Sequence, residues 1–74
     1  MGQPIVIHAN WDSEASVWVA RAPNLRGLVT EANTIETLRK KLPGMILDLF
    51  EEYGDSDLPT SIEIVAYVSE RLTR

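Results

Sequence analysis

From residue 4 to residue 11 the chain alternates, with Ile5, Ile7, Ala9 and Trp11 apolar and Val6, His8 and Asn10 between them. A period of two is that of a strand with one well-buried face. The polar run Asp12-Ser13-Glu14-Ala15-Ser16 has the composition of a hairpin loop, and residues 17–22, rich in β-branched and aromatic side chains, return as a second strand antiparallel to the first. Whether Trp18 or the pair Val17 and Val19 turns toward the core depends on loop length, because a slip of one residue exchanges the two faces. Pro23 ends this strand since it has no N–H for a ladder. Asn24 and Gly27 then supply turn chemistry before a short third strand over residues 28–31.

The period then changes. Two N-cap candidates stand together, Asn33 with Glu36 three residues on and Thr34 with Thr37, and either starts a helix. Ile35, Leu38, Leu42, Met45, Ile46, Leu49 and Tyr53 repeat at three and four, with Glu36, Arg39, Lys40, Asp48 and Glu52 mostly on the other side, and Gly54 is the stop. Pro43 removes the hydrogen bond to the Arg39 carbonyl, a cost of about 3 kcal/mol, and Gly44 adds about 1 kcal/mol. The apolar stripe stays in phase across both, which predicts one helix kinked at residues 39–43 in preference to two short ones. Residues 61–72 alternate again, Ile62, Ile64, Ala66 and Val68 on one face and Glu63, Val65, Tyr67 and Ser69 on the other, as a fourth strand.

The predicted fold is therefore α+β, in the order β-β-β-α-β. A right-handed crossover from the third strand lays the fourth beside the first and parallel to it, giving the spatial order 3-2-1-4 with one kinked helix on one face. One helix covers one face of a sheet. The other face, with Val6, His8, Val65 and Tyr67, is too apolar to be left to water and is the expected oligomer interface or partner surface.

Seventy-four residues make one domain, residues 1–74, and a chain of this size buries only roughly 60% of its unfolded surface. Without cysteine there is no disulfide or thiolate metal site to reinforce it, so a homodimer is the expectation. The composition, 45% hydrophobic and 24% charged, is that of a globular domain. No basic leader precedes an apolar core and no apolar run approaches the roughly 18 residues of a membrane span, so the expected location is cytoplasmic. Met1-Gly2 opens like a myristoylation signal, but Val6 stands where that signal has Ser or Thr.

A net charge of −4 argues against a phosphate-neutralising surface and for a basic protein partner; direct DNA binding is not expected. The acids Asp48, Glu51, Glu52, Asp55 and Asp57 run through the end of the helix and the loop after it, where negative charge opposes the helix macrodipole. The plain reading is a solvated acidic end; the functional one is a docking site for a basic protein. The spacing lacks the alternating ligands and central glycine of an EF-hand loop, so no metal is assigned. Arg39, Lys40 and Lys41 are too short a run for a nucleic-acid footprint, and Glu36 is placed to pair with Lys40. Trp11 and Trp18 lack the basic setting of base-stacking platforms and read as core or subunit contacts.

His8 is the single histidine and the residue type most often used for general acid-base work near neutral pH, but no cysteine or nucleophile-elbow serine accompanies it. No catalytic residue and no cofactor is assigned on this pattern. The alternative to an interaction module is a small RNA-processing enzyme, or an orphan ligand-binding regulator, using His8 with Asp12 and Glu14.

The succession of a strand, a polar loop with Asp12, a returning strand closing on "APNLRG", the short strand "LVTEA" and a helix opened by "NTIETL" resembles the HicB-like antitoxin domain. That domain's signature is a Pro-Asp-Leu-Pro-Gly turn, a strand and a Thr-initiated amphipathic helix. Pro23, Leu25, Gly27 and Thr34 match it, while Asn24 replaces its Asp and Arg26 its second Pro. The segment "KLPGMILDLFEE" is similar to a subgroup of small bacterial proteins of unknown function in the same superfamily. The resemblance implies a partial ribonuclease H-like fold and a place in a toxin-antitoxin system, where such a domain binds and neutralises a small basic RNA-cleaving toxin of the HicA type. The family's second, DNA-binding segment is not expected here, nor is ribonuclease H activity, since inward positions of the first and fourth strands offer Ile, Ala and Val where that chemistry needs carboxylates.

Overall fold

A computed structural model of the chain describes residues 3–23, 25, 27–52, 54 and 59–73. The elements are β1 (Ile5–Asp12), β2 (Val17–Arg21), β3 (Val29–Ala32), α1 (Ile35–Glu52) and β4 (Ile62–Tyr67). They form a four-stranded sheet in the order β3-β2-β1-β4, with β1 antiparallel to β2, β2 antiparallel to β3, and β4 parallel to β1. This is the α+β topology that the alternation and the crossover rule predict.

The β1–β2 hairpin turns over residues 13–16. Asp12 Oδ1 accepts the backbone N–H groups of Glu14 at 3.0 Å and Ala15 at 3.3 Å, and Ser16 takes a left-handed φ of 55° to let β2 begin. The resulting register sets Trp11 opposite Trp18 and Ala9 opposite Ala20. It decides the face of β2: Ala20 is buried and Trp18 packs against the core, so Val17 and Val19 lie on the opposite face. The two indole rings meet edge to face, 5.3 Å between centroids.

After β2 the Leu25 N–H reaches the Ala22 carbonyl at 3.1 Å, a turn with Pro23 at its second position, and the Leu28 N–H reaches the Leu25 carbonyl at 3.3 Å. Gly27 has a φ of 84°, a left-handed value that glycine takes without strain. Leu28 belongs to these turns, so β3 begins one residue later than the alternation predicts.

Thr34 is the cap of α1. Its Oγ1 accepts the Thr37 N–H at 3.0 Å, which settles the choice between the two candidates. The helix runs unbroken through Pro43, because Leu38, Leu42, Ile46 and Phe50 form one buried stripe on both sides of it and Pro43 faces water. Phe50, absent from the expected stripe, is buried, and Tyr53 lies outside the described residues. Glu36 pairs with Arg39 at 3.0 Å and not with Lys40, a contact exposed enough to contribute a few tenths of a kcal/mol at most.

The core lies between the sheet and α1: Ile7 and Ala9 of β1, Ala20 and Ala22, Leu28 and Ala32, against Leu38, Leu42, Ile46 and Phe50. Fully burying each large aliphatic side chain contributes about 1.5–3 kcal/mol before entropy is counted. Alanine at three of the sheet positions, Ala9, Ala20 and Ala32, lets the helix approach the strands closely. The fourth strand stops at Tyr67 and does not run to residue 72, since pairing with β1 ends at the Asn10–Tyr67 pair and nothing holds residues 68–72 in a ladder. Among the described residues no helix is long and apolar enough to cross a membrane.

Candidate functional site

The strand registers fix what the open face of the sheet presents. Val6 stands beside Glu63; Val29, Arg21, His8 and Val65 form the next row; Glu31, Val19, Asn10 and Tyr67 form the one after. Val6, Val65, Tyr67 and Val29 are 38%, 38%, 49% and 56% exposed, and Val17, Val19 and His8 are half-buried among them. Among the described residues no second layer covers this surface. Val6, His8, Val65 and Tyr67, which the alternation assigns to an oligomer or partner contact, are therefore brought together on one uncovered face.

His8 and Tyr67 stack there, 5.9 Å between ring centroids and 6° from parallel. The imidazole is thus part of a flat aromatic and aliphatic surface. Asp12 lies on the same face four residues along β1, about 13 Å away at strand spacing, and its carboxylate is engaged in the hairpin turn. Glu14 is in that turn. The structure does not bring His8, Asp12 and Glu14 into one constellation.

At the far end of α1, Asp48, Glu51 and Glu52 are all exposed and the last turn carries no basic residue. Their charges add to the negative pole of the helix instead of offsetting it. Asp55 and Asp57, the rest of the expected docking cluster, lie outside the described residues. Among the described residues no group of His, Cys, Asp or Glu side chains converges to hold a metal ion. Lys41 turns back from the helix and donates to the Glu31 carbonyl of β3 at 2.9 Å.

A second apolar surface escaped the sequence reading. The helix sits nearer β3 than β4, and a groove of about 630 Å³ runs between α1 and β4, lined chiefly by Leu42, Ile46 and Leu47 on one side and Ile62, Ile64 and Ala66 on the other. Alternation places Ala66 on the helix side of the sheet, but it does not report that the helix leans away and leaves Ala66 exposed.

The sequence profile of a family described as "Domain of unknown function (DUF1902)" matches residues 4–73. The fold also matches the crystal structure of a hypothetical protein, TTHA1013, from the extremely thermophilic bacterium Thermus thermophilus. That chain is 38% identical, with a TM-score of 0.72 over 97% of this chain and 100% of the other. No curated protein matches the chain significantly.

Proposed function

The chain belongs to the DUF1902 family, and we propose that it is a non-enzymatic protein-interaction module of the antitoxin type, which binds and occludes a small basic RNA-cleaving toxin. The observation that carries this reading is the uncovered sheet face, with Val6, His8, Val65 and Tyr67 presented side by side. A contiguous apolar surface on a small domain is a contact surface. The acidic end of α1 gives the sign of the partner: exposed Asp48, Glu51 and Glu52 attract a basic protein and raise the rate of encounter, while apolar contacts at the sheet hold the complex. Occlusion needs no catalytic group on this chain, only enough covered area over the toxin's catalytic residues. The matched Pro23, Leu25, Gly27 and Thr34 of the HicB-like pattern support the same reading, since they are the residues that close the β2–β3 turns and cap the helix here.

The test is affinity capture from the native host's lysate at two salt concentrations, followed by RNA cleavage assays on the captured protein with and without the domain. A small basic ribonuclease that the wild type inhibits, and that a Val65→Asp variant inhibits at least tenfold more weakly, is the expected result. A captured partner without RNA-cleaving activity, or inhibition indifferent to Val65→Asp, overturns the reading.

A further inference from the structure

We propose that the outer edge of β4, with the segment that follows it, pairs antiparallel with the same edge of a second copy of this chain, about a two-fold axis at Tyr67. The proposal does not depend on any toxin. It begins from the contrast between the two edges of the sheet. On β3 the Lys41 ammonium occupies the Glu31 carbonyl and places a charge at that edge. On β4 the Ser61 carbonyl accepts the Ile5 N–H at 2.9 Å, so the backbone groups of Ser61 face β1. Strand alternation then turns the N–H and C=O groups of Ile62, Ile64 and Ala66 outward. The strand "IEIVAY" contains neither the Pro nor the Lys that commonly blocks such an edge.

The segment after β4 has the composition and placement to continue this edge. Val68 and Glu70 lie beside Trp11, Trp18 and the start of α1, on the helix side of the sheet, so the alternation that puts Ile62, Ile64 and Ala66 on that side persists beyond the last ladder pair. Yet Val68 is 55% exposed and Leu72 95%. Apolar residues in strand phase left this exposed are what a second strand would flank.

Symmetry selects the register. With Tyr67 opposite its own copy, Glu63 faces the second copy's Arg71, Ile62 faces its Leu72 and Ala66 its Val68, and the two-fold repeats each pair. Glu70 faces an apolar residue in this register and in those one step away, Ile64 here and Ile62 or Ala66 there, but only here does an opposite-charge pair, Glu63 with Arg71, form. Opposite charges and like apolar side chains across a ladder are the stabilising combinations, so the Tyr67-centred register is preferred. In that arrangement both helices lie on one side, and the open faces join into one continuous surface that keeps Val6, His8 and Val65 accessible.

Sedimentation equilibrium of the whole chain tests the idea. The wild type is expected to dimerise. Ala66→Pro removes one outward N–H while leaving the β1 ladder intact, and it should yield a folded monomer. Glu63→Arg alone should weaken the dimer roughly tenfold, by setting like charges opposite each other twice, and Glu63→Arg with Arg71→Glu should restore it. A wild type that stays monomeric at millimolar concentration overturns the proposal and leaves the edge for a strand of another protein. So does a dimer that survives Ala66→Pro or is broken by Val65→Asp alone, which points to face-to-face packing, and so does a charge reversal that the double variant does not repair.

Discussion

His8 and Tyr67 lie ring upon ring, 5.9 Å between centroids, although the strand register sets His8 opposite Val65 and Asn10 opposite Tyr67. The contact is a diagonal one across the parallel β1–β4 pair, within reach of aromatic side chains but not of short ones. Because Tyr67 is half exposed, Tyr67→Ala should cost only about 0.5–1 kcal/mol, a fall in Tm of roughly 2–8 °C. Binding of the proposed partner should fall tenfold or more. Thermal melts run beside a binding titration separate the two effects, and equal small changes in both would remove the aromatic pair from the contact surface.

Leu42 and Leu47 sit on either side of the same stretch of helix, one fully buried and the other 50% exposed at the groove. Leu42→Ala is expected to cost about 2–5 kcal/mol, a large share of the roughly 4–11 kcal/mol that a domain of 74 residues has. Leu47→Ala should cost less than about 1 kcal/mol. Urea denaturation reads both, and similar costs would mean that the groove is closed in solution.

Gly44 is exposed in the helix interior, and a Cβ built on it meets nothing within 4 Å. Gly44→Ala should therefore stabilise the protein by about 0.5–1 kcal/mol, mostly by lowering the entropy of the unfolded chain. A loss of stability in the same denaturation experiment would show that the backbone at Pro43 needs the glycine.

Two adjacent residues had equal claim to cap α1, and only Thr34 accepts the hydrogen bond that makes a cap. Thr34→Ala should cost about 1 kcal/mol, whereas Asn33→Ala should change stability by less than about 0.5 kcal/mol. Calorimetry on the pair of variants checks the assignment, which fails if Asn33→Ala is the more damaging.

Glu51 and Glu52 set stability against binding. Reversing both to Lys places positive charge at the negative pole of α1 and should raise stability by a few tenths of a kcal/mol each. The same change should slow association with a basic partner, most of all at low salt. A stopped-flow association rate that is unaltered at low ionic strength would remove the acidic end from the docking surface.

Where hydrophobic period and turn chemistry agree, the fold is legible in the sequence. The strict alternation of β1, the Pro23 and Gly27 turns and the three-and-four spacing of α1 each encode one element, and the short connections then leave few ways to arrange them. The face of β2 was not legible, because it depends on a turn in which the Asp12 carboxylate and a left-handed Ser16 set the register by a single residue. The end of β4 was hidden for a different reason. Alternation continues through residue 72, but a strand lasts only as long as its neighbour pairs with it, and β1 stops pairing with β4 at Asn10. The candidate surface was legible as far as its members, Val6, His8, Val65 and Tyr67. Its second apolar feature, the groove, arises from the position of a helix relative to a sheet, which no periodicity records.

The parallel pairing of β4 with β1 also orders events in time. Hairpin contacts among β1, β2 and β3 close over a few residues, whereas β1 must wait for β4 across the whole helix, and loop closure on that scale comes later in folding. During synthesis, too, the central strand is made first and its parallel neighbour last. For that interval the edge of β1 is bare along Ile5–Asn10, the strand that carries Ile7 and Ala9 of the core, and any chain that pairs with it there forecloses the native arrangement. The step most exposed to error is thus the docking of a six-residue strand, and the speed of that step sets how much chain is lost to misassembly.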